Sequence, residues 1–331
     1  MVLKIRSVQF DEFEYLVANP DVAEAIKVGS IVDGVSHYEE FGRHENRLLF
    51  DPQKSRVAKA LHSVDRLGLG LEIGPSINPI APKSEGFNVH IVDHLSAEDL
   101  KKKYKNHGVN IDSIEHVDFI WKGENLSNLI GSKECYDYII ASHVIEHIPD
   151  VITFLQQCAL LLKSNGVLSL VIPDKRYCFD FFLPCSTTGQ LIDAYDEKRI
   201  KPTRGQVFDS YANSSCTQSG KISWDDDNCE ELRVMHSDFE VARKLYQKSS
   251  NVNEYVDAHC WRFIPDVFKL IISDLNLLSF IDLNILIDFQ TKGCEFYITL
   301  IKTKTKIDSD RTSALKKIKK ELYIKSRYDF S

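Results

Sequence analysis

Leu71–Ile80 reads LEIGPSINPI, with an acidic residue, a glycine and a proline-bearing turn set between two apolar runs. A strand that ends in this way brings backbone N–H groups close to whatever binds beyond it. Glycine permits the close approach and the positive φ that a Cβ resists. Proline stiffens the turn and removes one donor. Glu72 places a carboxylate at the carboxyl end of the strand, where open α/β sheets bind their ligands.

The residues that follow repeat the pattern. Phe87–Leu95, FNVHIVDHL, is a strand-length apolar run that ends in Asp93, roughly twenty residues past the turn, as a ribose-binding acid does. Ile114–Trp121, IEHVDFIW, carries Asp118 at the end of a further apolar run. Tyr136–Ser142, YDYIIAS, is a short β-rich run. Apolar spacing predicts a helix from about Asp150 to Lys163, stopped by Asn165-Gly166. Val167–Ile172, VLSLVI, is continuously apolar, as a buried parallel strand is. Strands alternating with helices, with polar residues at the strand ends, predict an α/β fold with a doubly wound, mostly parallel sheet.

In this order and spacing, residues of about 68–175 resemble the class I S-adenosylmethionine-dependent methyltransferases. LEIGPSINPI is similar to their first motif, IVDH to the acid after the second strand, and HVDFIW to the third-strand acid. YDYIIASHVIEHIPD is similar to the fourth-strand motif and LKSNGVLSLVIPDKRY to the fifth strand. YVDAHCWRFIPDVFKLI and TKGCEFYITLI, with the apolar run between them, resemble the last helix and final β-hairpin. The resemblance implies a seven-stranded Rossmann-like sheet and S-adenosylmethionine as cofactor. It is strongest for a bacterial subgroup associated with polysaccharide biosynthesis clusters, in which Pro75-Ser76 replace further glycines.

The same resemblance implies the donor's contacts. Glu72, Gly74, Pro75 and Ser76 would face its methionine part. Asp93, with His94 beside it, would take the ribose hydroxyls, and Asp118 the adenine amino group, with Phe119 beside the ring. Ser142 and His143 complete the implied donor contacts, with His143 pointing into the cleft near the transferred methyl. The bland reading of Asp93 and Asp118 is a turn or helix cap. His143 is a candidate general base, with the ordering of its loop as the other reading. Asp174 is a second candidate base, and Lys175 and Arg176 would meet an anionic acceptor or form a surface ion pair. His259 is a third catalytic candidate, facing the cleft, while Trp261 reads as core. His143–His147 also spells H-x-x-E-H, an inverted zinc-peptidase pattern that needs one helix presenting both histidines. Pro149-Asp150 interrupts such a helix, so no metal is expected.

The 331 residues allow one decorated domain or two. A net charge of −7 argues against a nucleic-acid partner. No apolar stretch reaches the length of a membrane span. MVLKIRSVQFDEF lacks a signal peptide's apolar core, and the eight scattered cysteines contain no C-x-x-C, so the expectation is reduced thiols and a cytoplasmic protein. Four segments are expected: a helical module over 1–50, a core over 51–175 and 255–305, an inserted lid or substrate region over 176–254, and a basic helical tail over 306–331. The first contains Y-L-x-x-N-P-D-V and H-Y-x-x-x-G-x-x-E-x-R, similar to a short bacterial module found beside glycosyltransferases. A glycosyltransferase partner and a sugar or glycan hydroxyl as acceptor are therefore implied. The tail would lie on an anionic membrane or stay solvated. The competing readings are a catalytically inactive scaffold of the same fold and, since G-x-G-x-x-G is absent, less readily a dinucleotide oxidoreductase.

Overall fold

The computed structural model describes residues 10–225, 230–236, 238–251, 254–306 and 310–328. They fall into two compact units, the first ending at His62 and the second beginning at Ser63.

The first unit is helical: α1 (Glu12–Ala18), α2 (Pro20–Lys27), α3 (Gly34–His37) and α4 (Pro52–Ala60). Asp11, Asp33 and Asp51 cap α1, α3 and α4, each accepting a backbone N–H three residues on. The sequence pattern builds the unit's interior. Fully buried Tyr15 bonds His37 Nδ1 at 2.8 Å, and Asn19 Nδ2 donates to the Leu48 carbonyl at 2.8 Å. A Cβ on Gly42 would collide with the Tyr15 hydroxyl. The boundary lies later than residue 50, because a buried Lys59–Glu14 ion pair ties α4 to α1.

The second unit is built on a seven-stranded sheet of order β3-β2-β1-β4-β5-β9-β8. The strands are β1 (Gly70–Ile73), β2 (Val89–Asp93), β3 (Phe119–Ile120), β4 (Tyr136–Ser142), β5 (Leu162–Pro173), β8 (Leu283–Lys292) and β9 (Glu295–Lys302). The first five run parallel, and β9 runs antiparallel between β5 and β8. The chain order reverses between β1 and β4, which makes their carboxyl ends the topological switch point. Helices α5 (Ala97–Tyr104), α6 (Leu126–Ile130), α7 (Val151–Leu161) and α11 (Pro265–Leu277) complete the layers. Helix α7 stops at Leu161, and Leu162 is already extended. Asn165-Gly166 therefore lies within β5 rather than ending the helix.

Residues 176–254 are not a single flap. Helix α8 (Thr188–Asp196) sends Leu191 and Ala194 into the main core. Helices α9 (Arg204–Ala212) and α10 (Glu240–Lys248) and the hairpin β6 (Ser215–Thr217)/β7 (Leu232–Val234) lie beyond it, where Val207 clusters with Val256 and Ala258. The basic tail is docked: in α12 (Arg311–Tyr328), Ile318 and Leu322 pack on the core. Its Arg311 and Lys317 pair with Asp274 and Asp266 of α11, and its Glu321 with Arg176. Among the described residues, no helix is long and apolar enough to cross a membrane. Seven cysteines are free thiols, and Cys229 lies outside the described residues.

Candidate active site

The loop after β1 is shaped by two left-handed residues, Gly74 (φ +66°) and Ser76 (φ +50°). Val144, in the loop after β4, fits against Gly74: a Cβ there would lie 3.0 Å from Val144 Cγ2. Glu72 is buried and closes this loop on itself, its carboxylate accepting from the Ile80 and Ala81 amides at 2.7 and 3.1 Å. Pro75 is buried beneath the turn. Asp93, at the end of β2, accepts from the Ser76 amide at 3.0 Å and from the His94 amide and Nδ1 at 2.7 and 2.6 Å. The two loops are thus held together through one carboxylate. The Ser76 hydroxyl, buried within this arrangement, has no hydrogen-bond partner.

Asp118 takes a different place from the one its sequence context implies. It precedes β3 rather than ending it, and its amide donates to the Ile91 carbonyl, two residues short of Asp93. Its Oδ2 accepts from Lys83 Nζ and from the Ile91 amide, both at 2.7 Å. Burial pushes its pKa up, but these donors outweigh burial and hold it below the usual carboxylate range. Phe119 packs edge-on against His90 at 5.7 Å between ring centroids. The ligand edge of β3 is occupied instead by Ile120 and Trp121, whose amide donates to the Asp93 carbonyl at 2.8 Å.

His143 follows Ser142 at the end of β4 with φ +53°, a conformation enriched at constrained functional positions. Its Nε2 bonds Glu295 Oε2 at 2.6 Å, and its Nδ1 stands 3.5 Å from Glu146 Oε1. A carboxylate only accepts, so Glu295 fixes the proton on Nε2 and with it the ring's orientation. Tyr297 in turn holds Glu295 through a 2.9 Å hydrogen bond. Reasoning from the sequence missed Glu295, although a lone acid opening the apolar run EFYITLI was a readable signal.

Asp174 is fully buried rather than facing a cleft. It accepts from Arg176 Nε and Nη2 at 2.9 and 2.5 Å and from Thr291 Oγ1 at 2.6 Å, which makes it an anchor for β5 and not a proton acceptor. Lys175 and Arg176 are also buried, Lys175 Nζ donating to the Phe181 carbonyl, so neither is presented to an anionic acceptor. His259 is buried, with Nδ1 at 2.5 Å from Asp180 Oδ2, and its ring meets that of His147 edge-on at 4.6 Å. Trp261 is core, its Nε1 donating to the Ile148 carbonyl. The H-x-x-E-H segment forms a single 3-10 turn, Ile145–His147, and so does not present two histidines on one helical face.

A parallel sheet of this order with one reversed strand next to its edge, carrying a carboxylate at the end of β2 and a left-handed turn after β1, defines the Rossmann-like methyltransferase fold. The chain belongs to the methyltransferase domain family, whose model matches residues 43–225, more than half of its length.

A 48-residue stretch is 38% identical to the ubiquinone biosynthesis O-methyltransferase of Rhodopseudomonas palustris (strain HaA2), covering 14% of this chain and 19% of that protein. The chain thus spans about a fifth of the length of that curated relative. Among solved structures, an S-adenosylmethionine-dependent methyltransferase from Listeria monocytogenes aligns at 10% identity and TM-score 0.40, over 75% of this chain and 96% of that one. The 1,6-didemethyltoxoflavin-N1-methyltransferase of Burkholderia thailandensis, with S-adenosylhomocysteine bound, aligns at 10% identity and TM-score 0.38, over 90% and 93%. Strand order and register, rather than these distant likenesses, establish the fold.

Proposed function

We propose that the protein is an S-adenosylmethionine-dependent methyltransferase acting on a hydroxyl oxygen, with a sugar or glycan intermediate as the acceptor class. The observation that carries the donor assignment is the cradle between β1 and β2. There Asp93 spans to Ser76, Gly74 keeps the backbone free of a side chain, and the buried Ser76 hydroxyl waits for a partner. These features fit a ligand that brings vicinal hydroxyls and a polar amino-acid end to the switch point. Asp93, Gly74 and Ser76 would hold it. When bound, it supplies an electrophilic methyl group on a sulfonium.

The chain's own contribution is alignment and proton management. Displacement at a methyl carbon needs acceptor and leaving group in line, which the fixed loops after β1, β2 and β4 serve. His143, its ring held by Glu295, would receive the hydroxyl proton through Nδ1. The sugar or glycan part of the reading rests on the N-terminal module and on the subgroup that the motifs resemble.

Calorimetric titration with S-adenosylmethionine, S-adenosylhomocysteine and NAD tests the class. Micromolar binding of the first two and none of NAD is expected, and opens an acceptor screen beginning with sugars and lipid-linked glycans. Failure to bind either sulfur ligand would overturn the donor assignment and favour a scaffold that does not react.

A further inference from the structure

Next to His143 lies a group of side chains that methyl transfer alone does not account for. Glu146 is 1% exposed, and neither of its carboxylate oxygens has a hydrogen-bond partner. A buried carboxyl group with both oxygens unsatisfied is costly, and a cation bound there would satisfy it. His147 Nε2 stands 4.0 Å from Glu146 Oε1, and His259 packs edge-on against His147. One ligand atom from each of the three residues lies within 4.8 Å of the other two.

The surroundings of the two histidines are equally specific. His147 Nδ1 bonds Asp257 Oδ1 at 2.9 Å, and His259 Nδ1 bonds Asp180 Oδ2 at 2.5 Å. Each imidazole therefore directs its Nδ1–H to a carboxylate and keeps Nε2 as its ligating nitrogen, the arrangement that orients metal-bound histidine. Backbone bonds fix the pairing of the two loops: the Cys260 and Trp261 amides donate to the Glu146 carbonyl at 2.7 and 3.2 Å. Three carboxylates (Glu146, Asp180 and Asp257) gather here; Arg262, at 3.6 Å, and Lys175 act on Asp180, whereas among the described residues no lysine or arginine pairs with Glu146 or Asp257. The balance favours an added positive charge.

We propose that Glu146, His147 and His259 bind a divalent transition-metal ion, with Asp257 and Asp180 as the groups that orient the two histidines. Two imidazoles and one carboxylate suit zinc, iron, cobalt or nickel, whereas magnesium and calcium prefer all-oxygen ligands. Three protein ligands leave coordination positions open. They would lie beside His143 and Val144, and so close to the loop of Gly74. An oxygen of the acceptor is the natural occupant; that last assignment rests on the methyltransferase reading, whereas metal binding does not.

The test is a cobalt(II) titration of the chelator-treated full-length protein, followed by its visible d–d absorption, with zinc competition and with S-adenosylhomocysteine calorimetry on the same samples. One equivalent of cobalt, displaced by zinc, is expected. Glu146→Gln and His259→Ala should each weaken binding at least tenfold, and Asp180→Asn about 10- to 100-fold, while the exposed His107→Ala leaves it unchanged. Sub-stoichiometric cobalt in wild-type protein that melts cooperatively would overturn the site. So would equal affinity in Glu146→Gln and His259→Ala, for instance with sulfur charge-transfer bands showing the metal on the cysteines. Cobalt binding without S-adenosylhomocysteine binding would keep the site and overturn the donor reading. Binding of S-adenosylhomocysteine without cobalt would do the reverse.

Discussion

Asp93 joins the β1 and β2 loops through the Ser76 amide while remaining the acid at the carboxyl end of β2. Replacing it by alanine removes a charge-assisted acceptor worth about 1.5–3 kcal/mol. Asp93→Ala should weaken S-adenosylhomocysteine binding by roughly tenfold or more in calorimetry, with cooperative melting retained; unchanged affinity would remove Asp93 from the site. His143 and Glu295 operate as a pair. Once an acceptor is found, His143→Ala should lower kcat by roughly 100-fold while leaving donor affinity within a factor of two or so. Glu295→Gln should give a smaller loss and a displaced pH–rate profile, since Glu295 bonds the His143 ring and sets its tautomer. A Glu295→Gln profile superimposable on wild type would reduce Glu295 to packing.

At the scale of elements, strand β1 depends on Gly70. Tyr138 of β4 lies across it, and a Cβ at this position would overlap the ring itself. Gly70→Ala should cost about 1–3 kcal/mol or more, read as a lower melting temperature with reduced donor affinity, because β1 carries the loop of Gly74. The end of β5 is held in another way. Asp174 neutralises buried Arg176, which also reaches Glu321 of α12. Burial disfavours the Arg176 charge, yet these acids outweigh it and hold its pKa above the ordinary value. Asp174→Asn should therefore cost about 3 kcal/mol, as breaking one side of a buried pair does. Chemical denaturation would show this, and a loss below about 0.5 kcal/mol would place the pair among weak surface contacts.

For the whole molecule, the acid limb of stability carries a defined sign. Burial pushes the carboxyls of Asp118 and Asp266 up, but Lys83 for the first and Lys317 and Lys269 for the second outweigh it, so both folded pKa values lie below the usual range. A depressed folded pKa contributes stability that is complete above the unfolded value, near 3.9, and is lost as pH falls through the folded one. Glu321 acts oppositely, since burial holds its carboxyl above the ordinary value. Melting temperature should stay level down to about pH 5 and fall steeply below about pH 4; Lys83→Met should lower stability at neutral pH and make that fall shallower, because the folded pKa of Asp118 then moves up toward its unfolded value. A fall of unchanged steepness in that variant would show that Asp118 contributes nothing to it.

The sheet was legible because its signals are local. Apolar runs of strand length, acids at their ends and a glycine turn follow from backbone sterics and burial, which act on neighbours in sequence. So LEIGPSINPI, FNVHIVDHL, YDYIIAS and VLSLVI all resolve as strands or strand-loop junctions of the expected parallel sheet. Where the sequence misled, the deciding partner lay far along the chain. Asp174 looks like an exposed strand-end acid until Thr291 and Arg176 enclose it. The basic tail looks solvated until Asp266 and Asp274 of α11 receive it. His147 and His259, 112 positions apart by number, face each other only because the Glu146 carbonyl takes the Cys260 amide. Sequence by itself determined the order of strands and helices and the candidate donor loop, since those depend on residues within one or two turns of each other. Tertiary structure alone decided which acids are buried anchors, which histidine is oriented by Glu295, and which residues gather around Glu146, because charge pairing and desolvation act across space and carry no period in the chain.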